Sequence, residues 1–455
     1  MAEDTMVKLV RNVINTKYED LREEDINFAK KALLDCLGIM VAGTSVEDCD
    51  LVLEQVKEWG GIEEATMMVY GGKVPLPNAA LINNMLARAL DLDDVLEEGF
   101  HHSAAHVMPP VMVAAEKRGD VTGKEYILAF TLGTDLNCRI ATSNATPCTV
   151  SGRFNIHRIW GAIAGIGKIF GFDENIMMNA MGIGYGMAHG ELQGHRDGAF
   201  SCLLESGFNA KNSMMACQLA KRGITGTRNI LDGHYGFYNA FEPNPDREKL
   251  LKDLGKVFWG SQASIKLYPS SRATHPGIDA ALELVTKNDI KPEDVESVKV
   301  GMFDFCYNIV GAPIEEKRNP KNMAEAQFSM PFCVAVAIAK RSVFLDEMKD
   351  EMVNDPQIRE LMQKIDTSID SKLQKFQANV TIKTKDGKSY FKEVLRCIGH
   401  PENPISYEDV VDKFKKCAEY SKKEISQKNL EDVISMVNDL ENIKDVSSLV
   451  RLLTP

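Results

Sequence analysis

The sequence predicts a mainly α protein, a large all-helical domain carrying one smaller α+β domain. Three observations carry that reading. Apolar residues recur at the helical period through nearly all of the first 240 positions. Beyond about residue 265 the pattern changes to alternating strands with helices between them. From Tyr407 onward the helical period returns. The expected boundaries are a helical domain over 1–265 and 400–455, and an α+β domain over 266–399.

Val7, Val10, Val13 and Ile14 mark an amphipathic helix over 5–18. Ile26, Ala29, Leu33, Leu37 and Met40 mark the next, with Asp25 as its cap and Gly43 as its stop. Val46, Leu53, Val56 and Trp59 repeat the period. Ala65 to Tyr70 reads as a short β run closed by Gly71-Gly72, and Pro77-Asn78 opens a helix carrying Leu81, Met85, Leu86 and Leu90. A further helix, Val111 to Glu116, is expected after Pro109-Pro110. Thr122 and Glu125 have capping-box spacing ahead of Tyr126–Ile140. Asn155 to Phe170, Ile176 to Met187 (capped by Asp173) and Gly207 to Lys221 are rich in small residues, which let helices approach closely in a tight bundle.

In the second part, Val295–Asp304 alternates as a strand, and Gln377–Val394 reads as a hairpin around Asp386-Gly387. Helices at Pro276–Lys287 and Ala324–Lys340 lie between them. The C-terminal helices, carrying Val410, Phe414 and Cys417 and then Leu430, Val433 and Met436, are expected to pack back on the first domain.

A chain of 455 residues with 44% hydrophobic and 26% charged residues can bury a large core without metal or disulfide support. Its formal charge of −12 argues against nucleic acid or an anionic membrane as partner, since both need a basic face. The ten cysteines show no CxxC spacing, so they read as small buried hydrophobes in a reducing compartment. The opening MAEDTMVKLV lacks the features of a secretory leader, and no apolar run reaches membrane-spanning length. A cytoplasmic protein is expected.

The chemistry gathers in one stretch. Between Asp91 and His106 lie Asp91, Asp93, Asp94, Glu97 and Glu98 with His101, His102 and His106, set between two apolar helices. Titratable groups held where core helices meet are candidates for proton transfer; a solvated charged loop is the plain alternative. His157 opens a Gly/Ala-rich helix and as a lone histidine fits a core or capping role equally well. Lys211, among Ala and Met, either snorkels to solvent or is held inside as a cation. His275 sits at a helix start in a locally basic stretch with Lys266 and Arg272. His189 and His195 read as structural or solvent-facing. A lysine and several imidazoles suit a small polycarboxylate, because charge-assisted bonds to carboxylates are strong. Two other readings stand beside this one: a metal enzyme using His101, His106 and Asp91 or Asp94, and a non-catalytic helical binding protein.

The segments ALLDCLGIMVAG (32–43), NNMLARALDLDD (83–94), GRFNIHRIWGAIAGIGKIFG (152–171), GFNAKNSMMACQLAKRGITG (207–226), IKLYPSSRATHPGIDAALEL (265–284) and EAQFSMPFCVAVAI (325–338) resemble the MmgE/PrpD family, in the family's order. That family contains 2-methylcitrate dehydratase, cis-aconitate decarboxylase and iminodisuccinate epimerase. The resemblance implies a helical domain built from both termini, an inserted α+β lid domain and a homodimer. It implies a lyase without cofactor or metal that acts on a small di- or tricarboxylic acid. Dehydration of a 2-methylcitrate-like hydroxy acid is the leading expectation, with decarboxylation or epimerisation as alternatives. Carried over by position, it points to Asp91, His106, His157, Lys211 and His275 as catalytic, sharing a cavity between body and lid, and to Lys266, Arg272, Phe332 and Val95 as substrate-binding. Three departures stand out. Val95 occupies a position where the family often has Thr, His106-Val107-Met108 replaces His-Pro-Ser, and Phe332 replaces a site tyrosine of the decarboxylase branch. Each removes or displaces a polar contact, and a good one to a carboxylate contributes about 1.5–3 kcal/mol. The substrate therefore carries fewer anionic groups than cis-aconitate, or lies differently.

Overall fold

Asp4 caps the first helix, Thr5–Asn15, accepting the Met6 amide at 3.0 Å. The computed structural model describes residues 3–144, 152, 156–197, 199–242 and 244–455. The chain divides into two compact units, Met1–Ala263 with Ser406–Pro455, and Ser264–Ile405. The first is helical apart from one small hairpin, so the chain is mainly α.

In the first unit, Glu23–Gly43 and Leu76–Arg88 are central helices. Asp25 is not the N-cap of the former. It occupies the third helical position and accepts the Arg22 amide at 3.1 Å, so it closes the first turn from inside. The β run narrows to Ala65–Thr66, paired antiparallel with Lys73–Val74. Thr122 and Glu125 form the expected capping box on Gly123–Ser143, and Asp173 caps Glu174–Tyr185 through the Ile176 amide at 2.8 Å. Gly133 and Gly161 meet where Gly123–Ser143 crosses Arg158–Ile169; a Cβ on Gly133 would lie 2.6 Å from the Gly161 carbonyl oxygen. Asn137 ties the same crossing, accepting the Gly161 amide at 2.9 Å and donating to the Arg158 carbonyl at 3.1 Å. The expected start of that helix at Asn155 lies outside the described residues, and His157 is its N-cap.

One helix differs more from its sequence pattern. Ala104–Arg118 begins before Pro109-Pro110 and runs through both prolines. A proline offers no N–H to the carbonyl four residues earlier, so Pro109 strands the Ala105 carbonyl. Asn84, from Leu76–Arg88, donates to that carbonyl at 2.7 Å. A side chain from the neighbouring helix thus replaces the missing backbone bond.

The C-terminal segment returns to the first unit. Tyr407–Ala418 packs on Glu23–Gly43, and Gln427–Asn438 touches the same helix. Lys413 and Asp35, both buried, form an ion pair of 2.6 Å across the first of these contacts.

The second unit has a four-stranded sheet. Strands β3 (Val295–Met302), β4 (Ile365–Ile369), β5 (Ala378–Thr384) and β6 (Ser389–Val394) are numbered after the small hairpin's β1 and β2; their order is β4-β3-β5-β6. β5 and β6 form the expected hairpin, turning at Gly387 with φ +84°. β4, parallel to β3, is absent from the sequence pattern: of its five residues only Ile365 is buried. Helices His275–Asn288 and Met330–Lys340 pack against this sheet. The expected helix 324–340 is interrupted. Ser329 accepts the Phe332 amide at 3.1 Å and caps a new helix with Pro331 in its first turn.

Candidate active site

Leu76–Arg88 ends in a turn whose acids point inward. Asp91, Asp93 and Asp94 are each at most 7% exposed, so the solvated-loop reading does not hold for them. Asp91 has φ +48°, a left-handed conformation that lets the chain reverse directly after the helix. Arg88, buried, pairs with Asp93 through Nη1 and lies 3.6 Å from Asp91 through Nη2. Burial opposes its charge, but Asp93 and Asp91 outweigh that and raise its pKa. His102 Nδ1 sits 2.7 Å from the Asp94 carbonyl oxygen and 3.0 Å from Asp93 Oδ2. The Asp94 carboxylate accepts three backbone amides, from Ser103 and Ala104 at 3.0 Å and Ala105 at 3.1 Å. It thereby satisfies the first free N–H groups of Ala104–Arg118. Burial, and then the charge of Asp93, still push it up to about 6.

Three imidazoles lie next to this turn. His101 closes it, exchanging backbone hydrogen bonds with Leu96. His106 is on the first turn of Ala104–Arg118, and His157 opens Arg158–Ile169. The His101 ring centroid is 4.8 Å from that of His157 and 6.2 Å from that of His106. All three are at most 2% exposed. Both nitrogens of His101 and His106, and Nε2 of His157, have no hydrogen-bond partner among the described residues. Burial drives all three pKa values down, reinforced by the positive charge of Arg158. His157 falls to about 3, and the others fall well below the ordinary histidine value.

Buried polar atoms are nearly always paired, so five unpaired imidazole nitrogens in one cluster mark a place built for something other than packing. Neutral imidazoles offer N–H donors and lone-pair acceptors in a weakly polar interior, where such bonds are strong. The charges of Arg88 and Arg158 also disfavour their protonation. The cluster is therefore suited to hold a carboxylate oxygen and exchange a proton beside it.

Other candidates fall elsewhere. Lys211, on Ser201–Lys221, is half-buried with its ammonium 4.3 Å from the ring centroid of Trp59, a side chain 51% exposed. Its pKa is lowered by burial alone. Among the described residues no contact joins it to Asp91 or an imidazole, and its place over Trp59 fits the snorkelling reading. His189 is exposed, and the His195 side chain lies outside the described residues. Val95, directly after Asp94, is buried at 1% exposure.

The second unit holds its own buried basic group. Lys266 donates to the Ser270 carbonyl at 3.1 Å, and Arg272 Nη1 lies 3.2 Å from His275 Nδ1. These three side chains are at most 3% exposed. His275 stacks near Tyr268, with centroids 4.9 Å apart. Phe332, fully buried, lies in the first turn of Met330–Lys340.

Reading by position passed over Arg88, Arg158 and His101. A signal was present: each arginine lies at the end of an apolar helix, Arg88 just before three acids and Arg158 just after a histidine.

The chain is mainly helical, with a buried imidazole cluster beside clamped carboxylates. The chain belongs to the MmgE/PrpD family: residues 7–249 match the MmgE/PrpD N-terminal domain and residues 268–439 the C-terminal domain. It is similar to cis-aconitate decarboxylase of Mus musculus, 26% identical over 96% of this chain and 91% of that protein. It is 24% identical to cis-aconitate decarboxylases of Aspergillus terreus and Homo sapiens, again over 96% of this chain, covering 94% and 92% of theirs.

Proposed function

We propose that this protein is a lyase that decarboxylates a small unsaturated di- or tricarboxylic acid of the cis-aconitate type, using only its own side chains. The observation that carries the reading is the cluster of five imidazole nitrogens on His101, His106 and His157 that have no partner among the described residues. The relatives named as cis-aconitate decarboxylases support it over the dehydratase alternative. In this reaction the bond to one carboxylate breaks and CO2 leaves. The electron pair stays on carbon, delocalised into the adjoining alkene and carboxylate, until a proton is added. His101 and His157 donate N–H bonds to the oxygen where that charge collects, which is electrostatic stabilisation in a preorganised site. Binding an anion beside them raises their proton affinity, so one of them delivers the proton. Asp91 is assigned to orienting the imidazole that delivers the proton.

A second reading is dehydration of a 2-methylcitrate-like hydroxy acid by the same imidazoles. Dehydration begins with removal of a proton next to a carboxylate and ends with loss of hydroxide plus a proton as water. The working form is taken to be a cytoplasmic homodimer; among the described residues no helix is long and apolar enough to cross a membrane.

The test is incubation of the protein with cis-aconitate, 2-methylcitrate and citrate in D2O. Release of CO2 with one deuterium incorporated supports decarboxylation. Alkene formation from 2-methylcitrate without CO2 supports dehydration. Deuterium exchange alone indicates epimerisation or isomerisation. No reaction with any of these acids removes both readings.

A further inference from the structure

The acid turn is held from two sides. Arg88 grips Asp93 from the helix that precedes it. The second grip comes from the other end of the chain: Lys413, on Tyr407–Ala418, donates to the Leu92 carbonyl at 3.0 Å. Leu92 lies between Asp91, with its left-handed backbone, and Asp93. The same ammonium pairs with Asp35 at 2.6 Å, and Lys413 and Asp35 are 4% and 3% exposed. A buried lysine needs such an anion to keep its charge, and a buried carbonyl needs a donor. Asp35 therefore fixes the lysine, and the lysine fixes the peptide that carries the acids.

We propose that Lys413, oriented by Asp35, is a positioning residue that sets the backbone of the acid turn and through it the aim of Asp91 and the seat of His101. A second ion pair separates this role from general stability. Lys30, on the same helix as Asp35, bonds Glu441 at 3.0 and 3.1 Å, so it also ties the C-terminal segment to Glu23–Gly43. Among the described residues it has no bond to the turn.

For catalysis the inference rests on the proposed lyase reading; for the backbone it does not. The experiment compares the full-length wild type, the charge-free pair Asp35→Leu with Lys413→Met, the conservative Lys413→Arg, and a control pair Lys30→Met with Glu441→Leu. Removing both charges together avoids leaving one buried alone. Amide hydrogen exchange over residues 91–105 and steady-state kinetics on the acid found in the D2O assay are read in parallel.

The charge-free pair is expected to exchange the turn amides at least about tenfold faster, since a lost anchor frees a local opening. Its kcat is expected to fall about 10- to 100-fold with KM changed less than about threefold, as a small misplacement near the chemistry does. Its pH–rate profile shifts, and Lys413→Arg recovers part of kcat. The control pair changes neither exchange in the turn nor the kcat-to-KM split. Turn exchange in the charge-free pair equal to that of the control overturns the inference. If the wild type turns over no acid, the lyase reading falls and the exchange result still decides the anchor.

Discussion

The imidazoles of His101 and His157 face each other with centroids 4.8 Å apart and planes inclined by 43°. One closes a tight turn after a helix, and the other opens a helix 56 residues later. Two rings brought together from separate segments, neither paired through Nε2 among the described residues, are expected to act as one unit. His101→Asn and His157→Asn are each expected to lower kcat/KM by about 10²- to 10⁴-fold, the usual scale for a positioned acid–base group. The double variant is expected to lose little more than the worse single, because groups of one unit are not additive. Steady-state kinetics checks this, and a thermal melt confirms that each variant is folded. Strictly multiplicative losses would mean that the two rings work independently.

Acid should unfold this protein steeply, and the sign follows from the shifts. His101, His106 and His157 are held neutral well below their ordinary range, His157 to about 3. Below about pH 6.5 the unfolded chain takes up protons that these folded rings refuse, at about 1.4 kcal/mol per pH unit each. Asp94 works the other way. Raised from 3.8 to about 6, it holds a proton in the fold that the unfolded chain has lost, so its contribution is present at low pH and disappears as pH rises through 6. Three imidazoles against one carboxyl leave a net loss of stability as pH falls below about 6. His106→Leu should make that loss shallower, by at most about 1.4 kcal/mol per unit. It should also raise stability at pH 7 by about 1 kcal/mol, since it removes a buried group without partners among the described residues. Urea unfolding at pH 7, 6 and 5 measures both, and an unchanged slope would show that His106 titrates alike in the two states.

The helical frame of the first unit was readable because its signals are local. Thr122 with Glu125, and Asp173 before Ile176, announce helix starts through side chains three positions apart. The hairpin around Gly387 is announced by turn chemistry alone. What was not readable depends on distant partners. Ala104–Arg118 runs through two prolines because Asn84 replaces a lost bond. β4 exists because β3 offers it a parallel edge, and its own residues are mostly exposed. The same division holds at the site. The acid-rich stretch drew notice by composition, but its charge balance rests on Arg88 and on Lys413, the latter more than 300 positions away. Lys211 was the reverse case, a lysine among Ala and Met whose long stem carries its charge out to Trp59.

That placement makes Lys211 a discriminating test. Lys211→Met keeps the stem and removes the charge. With the ammonium over a half-exposed indole, the loss is that of a surface cation–π contact, about 0.5–1 kcal/mol of stability. The kcat of Lys211→Met is expected to stay within about threefold of wild type, whereas loss of a group that stabilises charge in the transition state costs about 10²- to 10³-fold. A fall of the larger kind would return Lys211 to the catalytic set.

The bond from Asn84 to the Ala105 carbonyl ties two features that would each look unfavourable alone. Asn84 is a fully buried amide in a helix interior, and Pro109 is a proline in the sixth position of another helix. Asn84→Leu strands the carbonyl that Pro109 cannot serve and is expected to destabilise the protein by about 1–3 kcal/mol. Pro109→Ala restores an N–H that can reach the same carbonyl, so it should stabilise the Asn84→Leu background more than the wild type. A double-mutant cycle in urea is expected to give a coupling of about 0.5–2 kcal/mol. His106 stands on the turn this bond holds, so turnover by Asn84→Leu should fall and recover with Pro109→Ala in step with stability. Additive effects of the two substitutions would mean that the Ala105 carbonyl finds another donor when Asn84 is gone, and that the amide is there for a different reason.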